Sequence, residues 1–143
     1  MRLPDYILDK QTYIIVANTL GSHVTIKVGK SVNPKKRLKQ LQGSNPSRLQ
    51  IHTTFMWDIE ADLHKIFTRK GTHLRGEWFL VNSVDLDKIV NYLHEKSENI
   101  LLEYDYYKSA TDSSKFLSMY EEVEWANEWH TELQRNLTKM GEK

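Results

Sequence analysis

Sixteen residues constrain this chain more than any others: Ile26 to Leu41, IKVGKSVNPKKRLKQL. Ile26 and Val28 alternate with Lys27, as in a strand that buries one face. Gly29 closes the strand at a place where another group can come close to the backbone. Asn33 is a good helix N-cap, and Pro34 then falls at the first helical position, where proline is favoured. The helix that follows carries Lys35, Lys36, Arg37 and Lys39 and keeps Leu38 and Leu41 for a core. With Lys30 this makes five cations at a strand-to-helix junction, which points to a phosphate-facing surface. The competing interpretation is a solvated basic helix face.

The charge distribution bears on that choice. The chain has 143 residues and a formal net charge of only +1. Residues 1–80 hold 13 Lys/Arg against 6 Asp/Glu, whereas residues 81–143 hold 7 against 13. A basic half joined to an acidic half suits a polyanion bound by the first half alone. The second half then packs, dimerises or meets a protein. The absence of cysteine excludes disulfides and thiolate metal sites. No apolar run is long enough to span a bilayer, and the N-terminus lacks the apolar core of a signal peptide. These features lead to the expectation of a protein of the cytoplasm, with no membrane partner.

The pattern predicts an α+β fold: a small, three-stranded, mainly antiparallel sheet flanked by helices, then a C-terminal extension of two helices. The strands fall at 12–18, 24–29 and 49–57, the first two forming an antiparallel hairpin. Helices fall at 33–42, with Gly43 as C-cap, and at 59–69, with Asp58 as N-cap. The stretch RKGTHLRGEW reads as a basic loop and FLV as a short strand or turn. A third helix spans 84–104 with Ser83 as N-cap, and KSATDS at 108–113 is a polar linker. The last helix, 114–139, has apolar 3–4 spacing through Phe116, Met119, Val123, Ala126, His130, Leu133, Leu137 and Met140, the pattern of a coiled-coil seam. That seam serves a helix hairpin or a homodimer. The organisation expected is a domain at 1–82 and a helical extension at 83–143.

Hydrolysis of a phosphodiester needs charge neutralisation at the phosphate, activation of water and a cation near the leaving oxygen. Arg37 with Lys30 or Lys27 supplies the first. Hairpin pairing brings Tyr13 beside Lys27, and a nearby cation favours a phenolate able to act as a base. Glu60 is a hard oxygen ligand suited to Mg²⁺, with His64 one helical turn on. Each has a plainer explanation: Tyr13 as a half-buried strand aromatic, Glu60 as a helix-dipole partner, Glu60 and His64 as a surface pair. Trp125 and Trp129 sit among acidic residues and are assigned to packing rather than to base stacking.

Order and spacing add to this. Tyr13, then Lys27-Val-Gly29 with its Asn-Pro-Lys-Lys-Arg-Leu helix, then Glu60-Ala-Asp-Leu-His64 and Gly76-Glu-Trp-Phe79 together resemble the GIY-YIG nuclease superfamily. The similarity is to the phage and bacterial branch with a KIG-type second motif, and it covers about residues 12–81. Gln11-Thr12-Tyr13 stands where the family has Gly-Ile-Tyr, and Leu41 where it often has Tyr or His. The late asparagine of some members has only Asn82 as a candidate. The resemblance implies a metal-dependent DNA endonuclease using Mg²⁺ or Mn²⁺, acting on double-stranded DNA in a bacterial or phage-infected cell. It implies Tyr13 as general base, Lys27 and Arg37 as phosphate stabilisers, Glu60 as metal ligand and His64 as support. Lys30, Lys35, Lys36, Lys39, Arg69, Lys70 and Arg75 are the expected DNA-phosphate contacts. The alternatives are a non-catalytic nucleic-acid-binding or assembly module on the same fold, and a protein-interaction factor working through the acidic C-terminal helix.

Overall fold

Five strands form one antiparallel sheet in the order β3-β1-β2-β5-β4 in the computed structural model, which describes residues 3, 4, 7, 10–109 and 118–142. The strands are β1 (Gln11–Leu20), β2 (His23–Ser31), β3 (Gln50–Phe55), β4 (Thr72–Arg75) and β5 (Trp78–Asn82). The helices are α1 (Pro34–Gly43), α2 (Glu60–Lys70), α3 (Ser83–Ser109) and α4 (Met119–Gly141). The α+β class and the β1–β2 hairpin agree with the sequence pattern.

The sheet has five strands where three were expected. Residues 72–82 form a β-hairpin rather than a basic loop with a short strand. Gly76 adopts φ 55°, which lets the chain reverse between the paired residues Arg75 and Trp78. Alternation in β5 then buries Phe79 and Val81. Helix ends differ as well. The Asn33 side chain caps α1 by accepting from the Lys36 N–H at 3.1 Å, as its sequence predicts, but the C-cap is Ser44 rather than Gly43. The N-cap position of α2 is Ile59, not Asp58, and no side chain caps it there. The Asp58 carboxylate is drawn to Lys30 instead, at 3.2 Å. The Thr12 hydroxyl takes over the helix entry, accepting from the Ile59 N–H at 2.9 Å and donating to the Trp57 carbonyl at 2.6 Å.

The two faces of the sheet are covered unequally. On one face Ile14, Ile26 and Val28 meet α2, α3 and α4 in a large core that includes Leu63, Leu93 and Leu137. On the other, Tyr13, Ile15 and Leu49 pack with Leu38 and Leu41 beneath α1. Residues on both sides of position 82 therefore fill one core. Much of the apolar stripe of α4 is absorbed within the chain: Ala126, Leu133, Leu137 and Gly141 are buried, whereas Met119 at its start is exposed. Phe116 and residues 110–117 lie outside the described residues. His130, the polar member of that stripe, makes two contacts of its own. Its Nε2 donates to the Asp58 carbonyl at 3.0 Å and its ring stacks on Trp57 at 5.6 Å. Trp125 and Trp129 pack against the core, with Trp125 Nε1 donating to Glu103 at 2.6 Å. Among the described residues, no helix is long and apolar enough to cross a membrane.

If α4 belongs to the same cooperative unit as the sheet, Leu137→Ala should lower stability by about 2–5 kcal/mol. Urea unfolding followed by far-ultraviolet dichroism and by tryptophan fluorescence should then move as one coincident transition. Two separated transitions would show an independent extension.

Candidate functional site

β5 accompanies β2 only from His23 to Lys27, the last pair being Lys27↔Trp78. Beyond it, Gly29–Ser31 runs on with β1 along one side. This leaves a notch in the sheet, and the chemically capable side chains collect around it from five elements.

Tyr13 comes from β1 and lies opposite Gly29, not Lys27; Lys27 pairs with Ile15. The phenol crosses the backbone at Gly29 so closely that a Cβ there would overlap its Oη and Cζ. Glycine is thus required by close approach, which accounts for its place in the Lys-Val-Gly run. Tyr13 is buried, and burial pushes its pKa above the ordinary phenol value; interaction with the Arg37 guanidinium lowers it without cancelling that effect, and the charge of Glu77 raises it again. The cation that favours the phenolate is therefore Arg37 rather than Lys27, and the free protein holds a neutral phenol at neutral pH.

Arg37 reaches the notch from the exposed face of α1, its Nη1 also donating weakly to Gln40 Oε1 at 3.4 Å. Lys27 lies below it and is nearly buried. Its Nζ is 3.0 Å from Glu77 Oε2 and 5.6 Å from the centre of the Trp78 ring. Glu60 stands in the first turn of α2, with His64 Nε2 at 3.7 Å from its Oε1. His64 Nε2 also donates to the Val28 carbonyl at 2.8 Å, and its ring packs on Phe79 at 5.2 Å. His64 thus ties α2 to β2 and sets where Glu60 stands. Burial raises the Glu60 pKa and the charge of Glu77 raises it further, while His64 and Lys30 act in the opposite direction.

Lys35, Lys36 and Lys39 are exposed on α1 beside Arg37, and Arg75 is exposed at the Gly76 turn. The structure does not bring Arg69 and Lys70 to the notch. They end α2, roughly 15 Å along the helix from Glu60. There Arg69 Nη1 donates to the Gly141 carbonyl at 3.4 Å, and Lys70 lines a groove with Asp85 and Met140. Leu41 packs in the smaller core and offers no polar group, and Asn82 accepts from the Val84 N–H at 2.8 Å, at the far end of β5. Glu77, to which no role was assigned from sequence, proves central. Its signal was present in the Gly76–Phe79 run, but only the hairpin shows which way the carboxylate faces.

Among the described residues, no group of three or more His, Asp or Glu side chains is placed to hold a metal ion. The donor chemistry nonetheless fits a hard divalent cation. Glu60 is a desolvated carboxylate whose ion-pair partner among the described residues is His64, with the charge of Lys30 also acting on it. Mg²⁺ commonly takes one or two carboxylates and completes its shell with water and substrate phosphate oxygens.

Fold and site together define an α+β protein with a basic helix and a mixed-charge notch at the open edge of its second strand. The chain belongs to the T5orf172 domain family, whose model matches residues 10–94. No curated protein and no solved structure matches it.

Two outcomes follow from this geometry. Gly29→Ala should displace the Tyr13 ring and destabilise the fold by about 1–3 kcal/mol. Ultraviolet pH titration should then show one tyrosine ionising nearer the ordinary phenol value. The raised pKa of Glu60 means that folding favours its neutral form. That contribution is complete below the ordinary carboxylate value and is lost as pH rises through the raised one. Glu60→Gln should therefore increase the urea midpoint of the metal-free protein at neutral pH, and the gain should disappear in acid.

Proposed function

We propose that this chain is a metal-dependent endonuclease that hydrolyses DNA phosphodiester bonds, with the notch as its active centre. The observation that carries this is convergence: Tyr13, Lys27, Arg37 and Glu60, separated by up to 47 residues in sequence, surround one backbone edge. The order of these residues and their resemblance to the GIY-YIG superfamily support the same conclusion, as does the basic surface of α1.

In this scheme a DNA strand lies along α1, its backbone met by Lys35, Lys36 and Lys39, with Lys30 and Arg75 at the notch itself. Arg37 and Lys27 bind the non-bridging oxygens of the scissile phosphate and stabilise the charge that builds on them. Tyr13 Oη orients the attacking water and takes its proton once the phenol has ionised. Glu60 would hold Mg²⁺ or Mn²⁺, which supplies Lewis-acid stabilisation of the leaving 3′ oxygen. His64 keeps Glu60 in register with β2.

A second function has its own support. Leu41 is apolar, Tyr13 is a neutral phenol in the free protein, and one carboxylate carries the whole metal site. A non-catalytic nucleic-acid-binding module would have the same basic helix. Supercoiled plasmid incubated with Mg²⁺, Mn²⁺ or EDTA separates the two. The nuclease predicts metal-dependent nicking, reduced about a hundredfold or more by Arg37→Ala and by Glu60→Ala. Because Tyr13 is raised, the rate should climb with pH toward the alkaline range, and Tyr13→Phe should remove both the activity and the climb. Salt-sensitive DNA binding without nicking under any metal would establish the binding module instead.

A further inference from the structure

Glu77 is an ionisable group at the notch, paired with a proposed phosphate-binding cation, for which the cleavage scheme has no task. The turn that presents it is specific. Gly76 takes φ 55° and Arg75 pairs with Trp78. The Glu77 carbonyl then accepts from the Val28 N–H at 3.0 Å, which ties residue 77 to β2 next to Lys27. From there its Oε2 lies 3.0 Å from Lys27 Nζ. The Lys27 side chain is 10% exposed and that of Glu77 37%. An ammonium that nearly buried needs a charged partner. A flexible four-carbon stem also needs fixed neighbours before its charge has a defined direction. The carboxylate of Glu77 and the face of Trp78, 5.6 Å from Nζ, are those neighbours.

We propose that Glu77 is a positioning residue that holds the Lys27 ammonium where a phosphodiester phosphate enters the notch, and whose own charge keeps that phosphate from binding tightly before reaction. The kinetic part rests on the nuclease function proposed above; the ion pair does not. A phosphate approaching Lys27 also approaches a carboxylate that already occupies part of the ammonium. In the ground state the two anions repel. As charge develops on the phosphoryl oxygens, a correctly aimed ammonium gains more than an unaimed one, so the arrangement favours the transition state over the bound substrate. Removing the carboxylate charge while keeping its shape should therefore act on binding and on chemistry with opposite benefit.

The test uses the full chain with Glu77→Gln, Glu77→Asp, Lys27→Met and the Lys27→Met/Glu77→Gln double variant. Duplex oligonucleotide affinity is measured in EDTA by fluorescence anisotropy, and plasmid cleavage in Mg²⁺. The mobility of the Lys27 ammonium is followed by nitrogen-detected NMR. Glu77→Gln should bind duplex more tightly yet lower kcat by about tenfold to a hundredfold, the scale of a misplaced catalytic group. Glu77→Asp should recover part of the rate, and the double variant should be no slower than Lys27→Met alone. An unchanged kcat in Glu77→Gln, or additive losses in the double variant, overturns the proposal. If the wild type cleaves nothing with any metal, the nuclease function fails separately. Positioning is then decided by binding and NMR: unchanged affinity with an unchanged Lys27 signal overturns it, and tighter binding with a mobile ammonium supports it. Should Glu77→Gln fail to fold, as judged by thermal melting, Glu77→Asp against Lys27→Met makes the same comparison.

Discussion

The crossing of the Tyr13 ring over Gly29 is the contact on which the rest of the site depends. It requires the β1–β2 register seen here, because a slip of one residue would send every side chain to the opposite face. In that register Ile14, Ile26 and Val28 point into the large core, while Tyr13 and Lys27 share the thinly covered face under α1. Burying apolar residues on one face thus sets the geometry of polar ones on the other. The same hairpin also anchors α2. Thr12 holds the helix entry from β1, and the Val28 carbonyl receives His64 from the second turn. Glu60 lies between these two attachments.

The electrostatics of the notch follow from how its charges are shared out. Lys27 is matched by Glu77 and Lys30 by Asp58, both at the distance of direct ion pairs. Glu60 is paired more loosely, with His64 Nε2 at 3.7 Å, and burial together with the charge of Glu77 makes its ionisation harder. A carboxylate desolvated in this way weakens the fold at neutral pH, because folding favours its neutral form. Tyr13 shows the same effect of burial in milder form, because Arg37 offsets part of it.

Much of this architecture could be read from residues alone, and the failures have identifiable physics. The β1–β2 hairpin and α1 were legible because β-branched alternation and the Asn33-Pro34 start are local signals. β4 and β5 were missed because three cations and two glycines between 69 and 76 look like a loop until Gly76 closes a hairpin. The cap of α2 was misassigned because a helix entry can be satisfied from a distant strand: Thr12 is 47 residues from Ile59. Arg69 and Lys70 do not join the cations of the notch, because an eleven-residue helix carries them to its other end. Of the site residues, Tyr13, Lys27, Arg37 and Glu60 do converge. Glu77 escaped notice because which way a turn residue faces depends on strand pairing that no short window contains.

The boundary of the family match has a consequence for anyone working with a shorter piece of this chain. The match ends at residue 94, inside α3, before α4 begins. Yet α4 covers α2 at Ile66, where even the Gly141 backbone comes close, and its His130 grips the carbonyl of Asp58 just ahead of Glu60. The segment that defines membership therefore lacks part of the core that covers it, supplied by Ala126, Leu133 and Leu137. Cut at that boundary, it would open an apolar wall to water and release the chain leading into α2.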